Sequence, residues 1–165
     1  MKKLPIGIQD FEQIRKGGYL YVDKTHYLPA LLDFGKYLFL SRPRRFGKSL
    51  LLGTIKAWLE GKKDLFKGLD IYDKTRWQPY PVVLIDYSVV DYSKDVATFE
   101  QSLYYRLENY AIQYDITITR TGIKSQLEEL VRKLYQKTGQ QVVLLIDEYD
   151  KPIICLLYTS DAADE

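Results

Sequence analysis

The decapeptide at 41–50 reads Ser41-Arg42-Pro43-Arg44-Arg45-Phe46-Gly47-Lys48-Ser49-Leu50, and further along the chain Val142-Val143-Leu144-Leu145-Ile146 runs into Asp147-Glu148. Gly-Lys-Ser at the head of a helix is the ending of a phosphate-binding loop. Backbone N–H groups at a helix N-terminus point at an anion, and the helix dipole adds to their pull. Gly47 lets the chain approach phosphates without a Cβ. Lys48 reaches the β- and γ-phosphates, and the Ser49 hydroxyl suits magnesium. An apolar strand ending in two acids supplies the rest. Asp147 holds magnesium through water, and Glu148 orients or deprotonates an attacking water. In this order, the two segments point to nucleoside triphosphate chemistry with Mg2+.

The match to Gly-x-x-x-x-Gly-Lys-Ser/Thr is incomplete, because Arg42 stands where the first glycine is usual. Arg42, Arg44 and Arg45 can add donors around the phosphates or form a solvated basic turn. Phe46 and Leu50 flank the glycine and the helix start and complete the candidate nucleotide-binding set. Asp150 is a lesser candidate, since Tyr149-Asp150-Lys151-Pro152 also reads as a turn. Asp86 ends another apolar run and is expected to cap the next helix. His26 is the sole histidine, so a histidine-based metal site is not available. Tyr104, Tyr105 and Tyr110 read as packing residues rather than as a base-stacking platform.

Elements must position these groups. Tyr37-Leu38-Phe39-Leu40, bounded by Gly35 and Pro43, predicts a buried strand before the loop. A helix is expected over 48–59, ending at Gly61. Asp23 is a plausible N-cap for a helix over 24–34. Residues 82–86 and 142–146 predict further buried strands. Helical spacing runs through Phe99, Leu103, Leu107 and Tyr110, and again through Ile123, Leu127, Leu130 and Leu134 up to Gly139. Strands apolar on both faces that alternate with helices indicate an α/β three-layer sandwich on a mostly parallel sheet. In such sheets ligands gather at the carboxyl ends of strands, where both motifs lie.

The chain has 165 residues, 46% of them apolar, which suffices for one packed domain or part of one. No apolar run approaches the roughly 20 residues of a membrane span, and a cytoplasmic location is expected. Residues 155–165, Cys155 to Glu165, look like the one-frame translation of a transposase-end sequencing adapter. On that expectation the native sequence runs through 1–154. Setting the tail aside removes the only cysteine, and leaving out its three acids moves the formal charge from +2 to +5. A mildly basic chain fits anionic ligands.

The residues resemble the AAA-ATPase-like family within the broad P-loop ATPase class. The resemblance rests on Leu4-Pro5-Ile6-Gly7 with Phe11, on Tyr21-Val22-Asp23-Lys24-Thr25, and on the arginine-rich loop from Arg42 to Leu50. Leu65-Phe66-Lys67-Gly68-Leu69 and Ile146-Asp147-Glu148-Tyr149-Asp150-Lys151-Pro152 complete it. It implies ATP as nucleotide and a loop that lacks the first glycine. It also implies that complete members often carry a C-terminal nuclease-like region, through which alone nucleic acid would be engaged. The role of 21–25 stays open between a contact to the nucleotide base and a helix cap. The class's sheet order of 5-1-4-3-2 implies that the chain is truncated after the Asp-Glu strand, without its central fourth strand. Residues 1–165 alone are then expected to be poorly soluble or partly unfolded, with weak or no turnover. ATP hydrolysis is the expected function of the complete protein, and a slowly hydrolysing nucleotide switch is the alternative. A nucleic-acid surface on the basic loop ranks below both.

Overall fold

The computed structural model describes residues 2–41, 43, 45–90 and 96–151. Arg42, Arg44, Pro152 and the 155–165 stretch, all singled out above, lie outside the described residues. The chain divides into two compact units, Met1–Tyr80 and Pro81–Glu165.

The first unit is helical. Helix α1 spans Phe11–Lys16, opened by Asp10, whose carboxylate accepts a hydrogen bond from the Gln13 N–H at 2.7 Å, and closed at Gly17. That side-chain bond satisfies one of the donors a helix start leaves open. A 3-10 turn at Thr25–Tyr27 leads into α2, Leu28–Asp33, with Pro29 in its first turn. The helix expected over 24–34 is therefore present, with its first turn tightened. Helix α3 covers Lys48–Leu59, and Gly61 follows at φ 72. A further 3-10 turn lies at Lys63–Phe66. The core gathers Phe11, Ile14, Leu28, Ala57, Trp58, Leu59, Phe66 and Ile71. Phe66 is fully enclosed, with ring centroids of Phe11 and Trp77 at 4.9 and 5.1 Å.

The strand expected at 37–40 is not formed. Tyr37 is 95% and Phe39 70% exposed, so the expectation of burial is corrected as well. The composition suits a strand, but a strand needs a neighbour for its backbone groups. This unit contains no strand among the described residues.

The second unit supplies the sheet. Strand β1 is Val82–Asp86, α4 is Val96–Gln113, α5 is Ile123–Thr138 and β2 is Val143–Asp147. The strands pair in parallel, Val82 beside Val143 through to Asp86 beside Asp147. Parallel neighbours require a crossover, provided here by the two intervening helices. Val83, Ile85, Leu103, Leu107, Ala111, Leu130 and Leu134 form the core between strands and helices. This is a mixed arrangement of helices with a small parallel sheet, compatible with an α/β fold.

Tyr110 of α4 closes one side of β1. Its hydroxyl accepts from the Leu84 N–H at 2.9 Å and donates to the Leu84 carbonyl at 3.3 Å. Glu129, buried on α5, accepts from the N–H groups of Thr119 and Arg120, the Thr119 hydroxyl and the Lys133 ammonium. It thereby ties the segment before α5 to the helix.

Candidate nucleotide site

The start of α3 carries the first set of candidate residues. Arg45 and Gly47 both stand at positive φ, 65 and 74. Gly47 is the N-cap residue, in the left-handed region, and no side chain caps the helix. The Gly47 carbonyl accepts from the Leu51 N–H at 2.9 Å, which begins the helical ladder. The N–H groups of Lys48, Ser49 and Leu50 precede that first bond of the helical ladder. Lys48, Ser49 and Leu50 are half-buried, whereas Phe46 is exposed. Gly47, Lys48, Ser49 and Leu50 thus share one helix terminus, as their spacing led one to expect. Two left-handed residues around Phe46 give a bend whose amides can line an anion.

What holds α3 lies in the rest of its unit. Phe11 packs on its middle: a Cβ placed on Gly53 would stand 3.8 Å from both the Phe11 Cβ and its N. The Phe11 and Tyr21 rings meet edge to face at 5.2 Å. The Tyr21 hydroxyl lies 3.4 Å from Thr54 Oγ1, and that oxygen donates to the Leu50 carbonyl at 2.8 Å. A threonine hydroxyl has one proton, so Tyr21 is the donor to Thr54. Burial pushes the Tyr21 hydroxyl pKa above its ordinary value.

Asp23 and Thr25 continue the arrangement. Asp23 Oδ1 accepts from the Thr25 N–H at 2.9 Å and the Thr25 hydroxyl at 2.7 Å, and Oδ2 accepts from the Asp70 N–H at 2.6 Å. Thr25 Oγ1 in turn accepts from the Ile71 N–H at 3.3 Å. Partial burial pushes the Asp23 carboxyl upward, but the hydrogen bonds outweigh it and hold the group below the usual carboxylate range. Arg15 donates to the Leu65 and Lys67 carbonyls, both at 2.7 Å. The sequence marked these stretches without supplying their role. Thr54 carried no signal at all, because a threonine inside a helix looks like any other.

In the second unit Asp147 and Glu148 stand at the carboxyl end of β2. Asp147 is buried, and its Oδ1 accepts from the Glu148 N–H at 3.0 Å. Glu148 has φ 52, a left-handed conformation uncommon for a residue with a Cβ. The Lys151 N–H closes on the Glu148 carbonyl at 3.0 Å, so Tyr149 and Asp150 sit in a turn. Asp86, the register partner of Asp147, accepts from the Ser88 N–H at 2.7 Å and caps the 3-10 turn at Tyr87–Val89. Among the described residues no group of three or more His, Cys, Asp or Glu could hold a metal ion. The hydroxyl of Ser49 and the carboxylate of Asp147 are hard oxygen donors, the kind magnesium takes. Magnesium commonly binds through one or two protein ligands beside phosphates and water rather than in an all-protein cage. Each of the two, within its own unit, is an oxygen donor of that kind.

The family model described as Predicted AAA-ATPase matches residues 5–165. An uncharacterized protein from the vnfD 5' region of Azotobacter chroococcum mcd 1 is 40% identical over 168 residues. The alignment covers 99% of this chain and 32% of that protein, so the chain spans about a third of the relative's length. No solved structure matches the chain. Among the described residues no helix is long and apolar enough to cross a membrane.

Proposed function

The chain belongs to the AAA-ATPase-like family, and from that premise we propose that it binds ATP through the first turn of α3 and hydrolyses it in the complete protein. Family membership suggests ATP binding. The observation that carries the assignment to particular residues is the left-handed Gly47 at the head of α3, with Lys48 and Ser49 in the turn it opens. The amides of this turn, with Arg44 and Arg45, cradle the phosphates, and Phe46 and Leu50 border the nucleotide. The Lys48 ammonium neutralises charge on the β- and γ-phosphates. Ser49 and Asp147 are the residues that would hold magnesium, whose chemistry is to offset the charge that develops on the phosphate oxygens.

Glu148 accepts a hydrogen bond from the attacking water and aims it in line with the γ-phosphorus. Its position one residue beyond an apolar strand supports this role, as does a left-handed backbone that is costly for a residue with a Cβ. The larger fold in this reading is the three-layer P-loop sandwich, with β1 and β2 as adjacent strands of a wider parallel sheet. Their parallel pairing supports it. Hydrolysis would drive a C-terminal effector, nuclease-like on the resemblance, and the protein would work in the cytoplasm.

Exchange of Glu148 for Gln in the complete protein tests the catalytic assignment. ATP affinity should stay within about twofold, while steady-state phosphate release falls by about 100-fold or more, the usual scale for a positioned acid–base group. Turnover equal to that of the unmodified protein would remove Glu148 from the mechanism.

A further inference from the structure

We infer that residues 21–25 form a positioning device for the nucleotide end of α3, with Asp23 as the anchor and Tyr21 as the point of contact. The inference rests on the reading of α3's first turn as the ATP-phosphate site. Its basis is a continuous chain of bonds. Asp70 and Ile71 offer their N–H groups to Asp23 and Thr25. Asp23 grips Thr25 through both the backbone and the hydroxyl. Two residues earlier Tyr21 donates to Thr54, and Thr54 bonds to the carbonyl of Leu50, which belongs to the first turn of α3. The Phe11 ring supports Tyr21 from the side and Phe11 also meets α3 at Gly53.

The hydroxyl of Tyr21, both carboxylate oxygens of Asp23 and the hydroxyl of Thr25 are therefore committed within the unit. A nucleotide base would have to displace these bonds to be read by them. Holding the helix is the role their geometry serves. A phosphate cradle acts through several amides that must converge at once, and a shift of the helix start reduces the fraction of molecules ready to bind. Apparent affinity falls by that fraction.

The test compares two variants of the complete protein by calorimetric titration with Mg·ATP and Mg·GTP, at a temperature where each is folded. D23N places an amide nitrogen where one acceptor oxygen stood, so at least one anchoring bond is lost. R15A removes the bonds to Leu65 and Lys67 in the same unit but leaves Asp23, Tyr21 and Thr54 in place. D23N should weaken ATP binding by about tenfold and GTP binding by the same factor, whereas R15A, even with a comparable loss of thermal midpoint, changes either by less than about twofold. Equal losses in the two variants, or a D23N effect confined to one nucleotide, would overturn the inference. So would unchanged affinity in D23N beside normal binding by the unmodified chain. If D23N does not fold, Tyr21→Phe removes the single hydroxyl and keeps the ring. A rise in Kd of about two- to threefold is then expected for a bond this long, and no rise would overturn the inference. Absence of ATP binding by the unmodified chain would instead remove the phosphate-site reading itself, and this inference with it.

Discussion

Gly47 stands at φ 74 with nothing within 4 Å of where a Cβ would lie, whereas Gly53 sits inside α3 with ordinary contacts to Phe11 at 3.8 Å. The two glycines should respond to alanine with opposite signs. Gly47→Ala forces a left-handed alanine and should cost about 1–2 kcal/mol. Gly53→Ala gains helix propensity, and stability should rise by about 0.5–1 kcal/mol. Urea midpoints check both, and a neutral Gly47→Ala would contradict the left-handed cap. Gly47 was legible in the sequence because Gly-Lys-Ser at a helix start has few other uses. Asp23 was legible only as a cap, since its second oxygen bonds to Asp70, a partner that the linear order does not reveal. Glu129 was not legible at all, being one acid among several on an amphipathic helix. The Lys133 ammonium first, then the N–H groups of Arg120 and Thr119, hold its carboxyl down to about 2 from an ordinary value of 4.5. A folded value below the unfolded one means that Glu129 stabilises the fold above about pH 4.5. That contribution drains as the pH falls from there towards about 2. The stability difference between the unmodified chain and Glu129→Gln should therefore shrink across this window in acid titrations followed by circular dichroism. A difference that stays constant would contradict the assignment.

Among the elements, β1 is guarded and its guard is a side chain. Tyr110→Phe would leave the Leu84 N–H and carbonyl without the hydroxyl that bonds to both. Loss of about 1–2 kcal/mol is expected, with faster hydrogen exchange at the Leu84 amide. Unchanged exchange there would show that the hydroxyl does not close that side. Long periodic helices such as α4 and α5 could be read from spacing, because burying one face repeats a signal every turn. Both formed strands were readable too, each within one residue of its expected bounds. Helix α1 was passed over because six residues hold too few turns for a pattern. Its signal was local: Asp10 with Gln13 three residues on, and Gly17 at the end. The run 37–40 shows the reverse failure. Its apolar composition is real, but strand formation depends on a neighbour that composition cannot supply.

For the molecule as a whole, the motifs of the first unit converge on one task. Phe11 packs on Phe66, Asp23 and Thr25 hold the Asp70 and Ile71 N–H groups, and Tyr21 and Phe11 meet α3 at Thr54 and Gly53. The Asp147–Glu148 end of β2 belongs to the second unit and is held by its own sheet. The proposed phosphate loop was legible in the sequence because its residues are adjacent. The support around it was not, because it is distributed from Phe11 to Ile71 and joined only by folding. The most direct test of the central claim is equilibrium titration of Mg·ATP into the complete protein and into its Lys48→Ala variant. Saturable binding at one site per chain is expected, weakened by at least about tenfold when the ammonium is removed, as for loss of a charge-assisted contact to phosphate. No binding by the unmodified chain, or equal affinity in the Lys48→Ala variant, would contradict the placement of ATP at the head of α3.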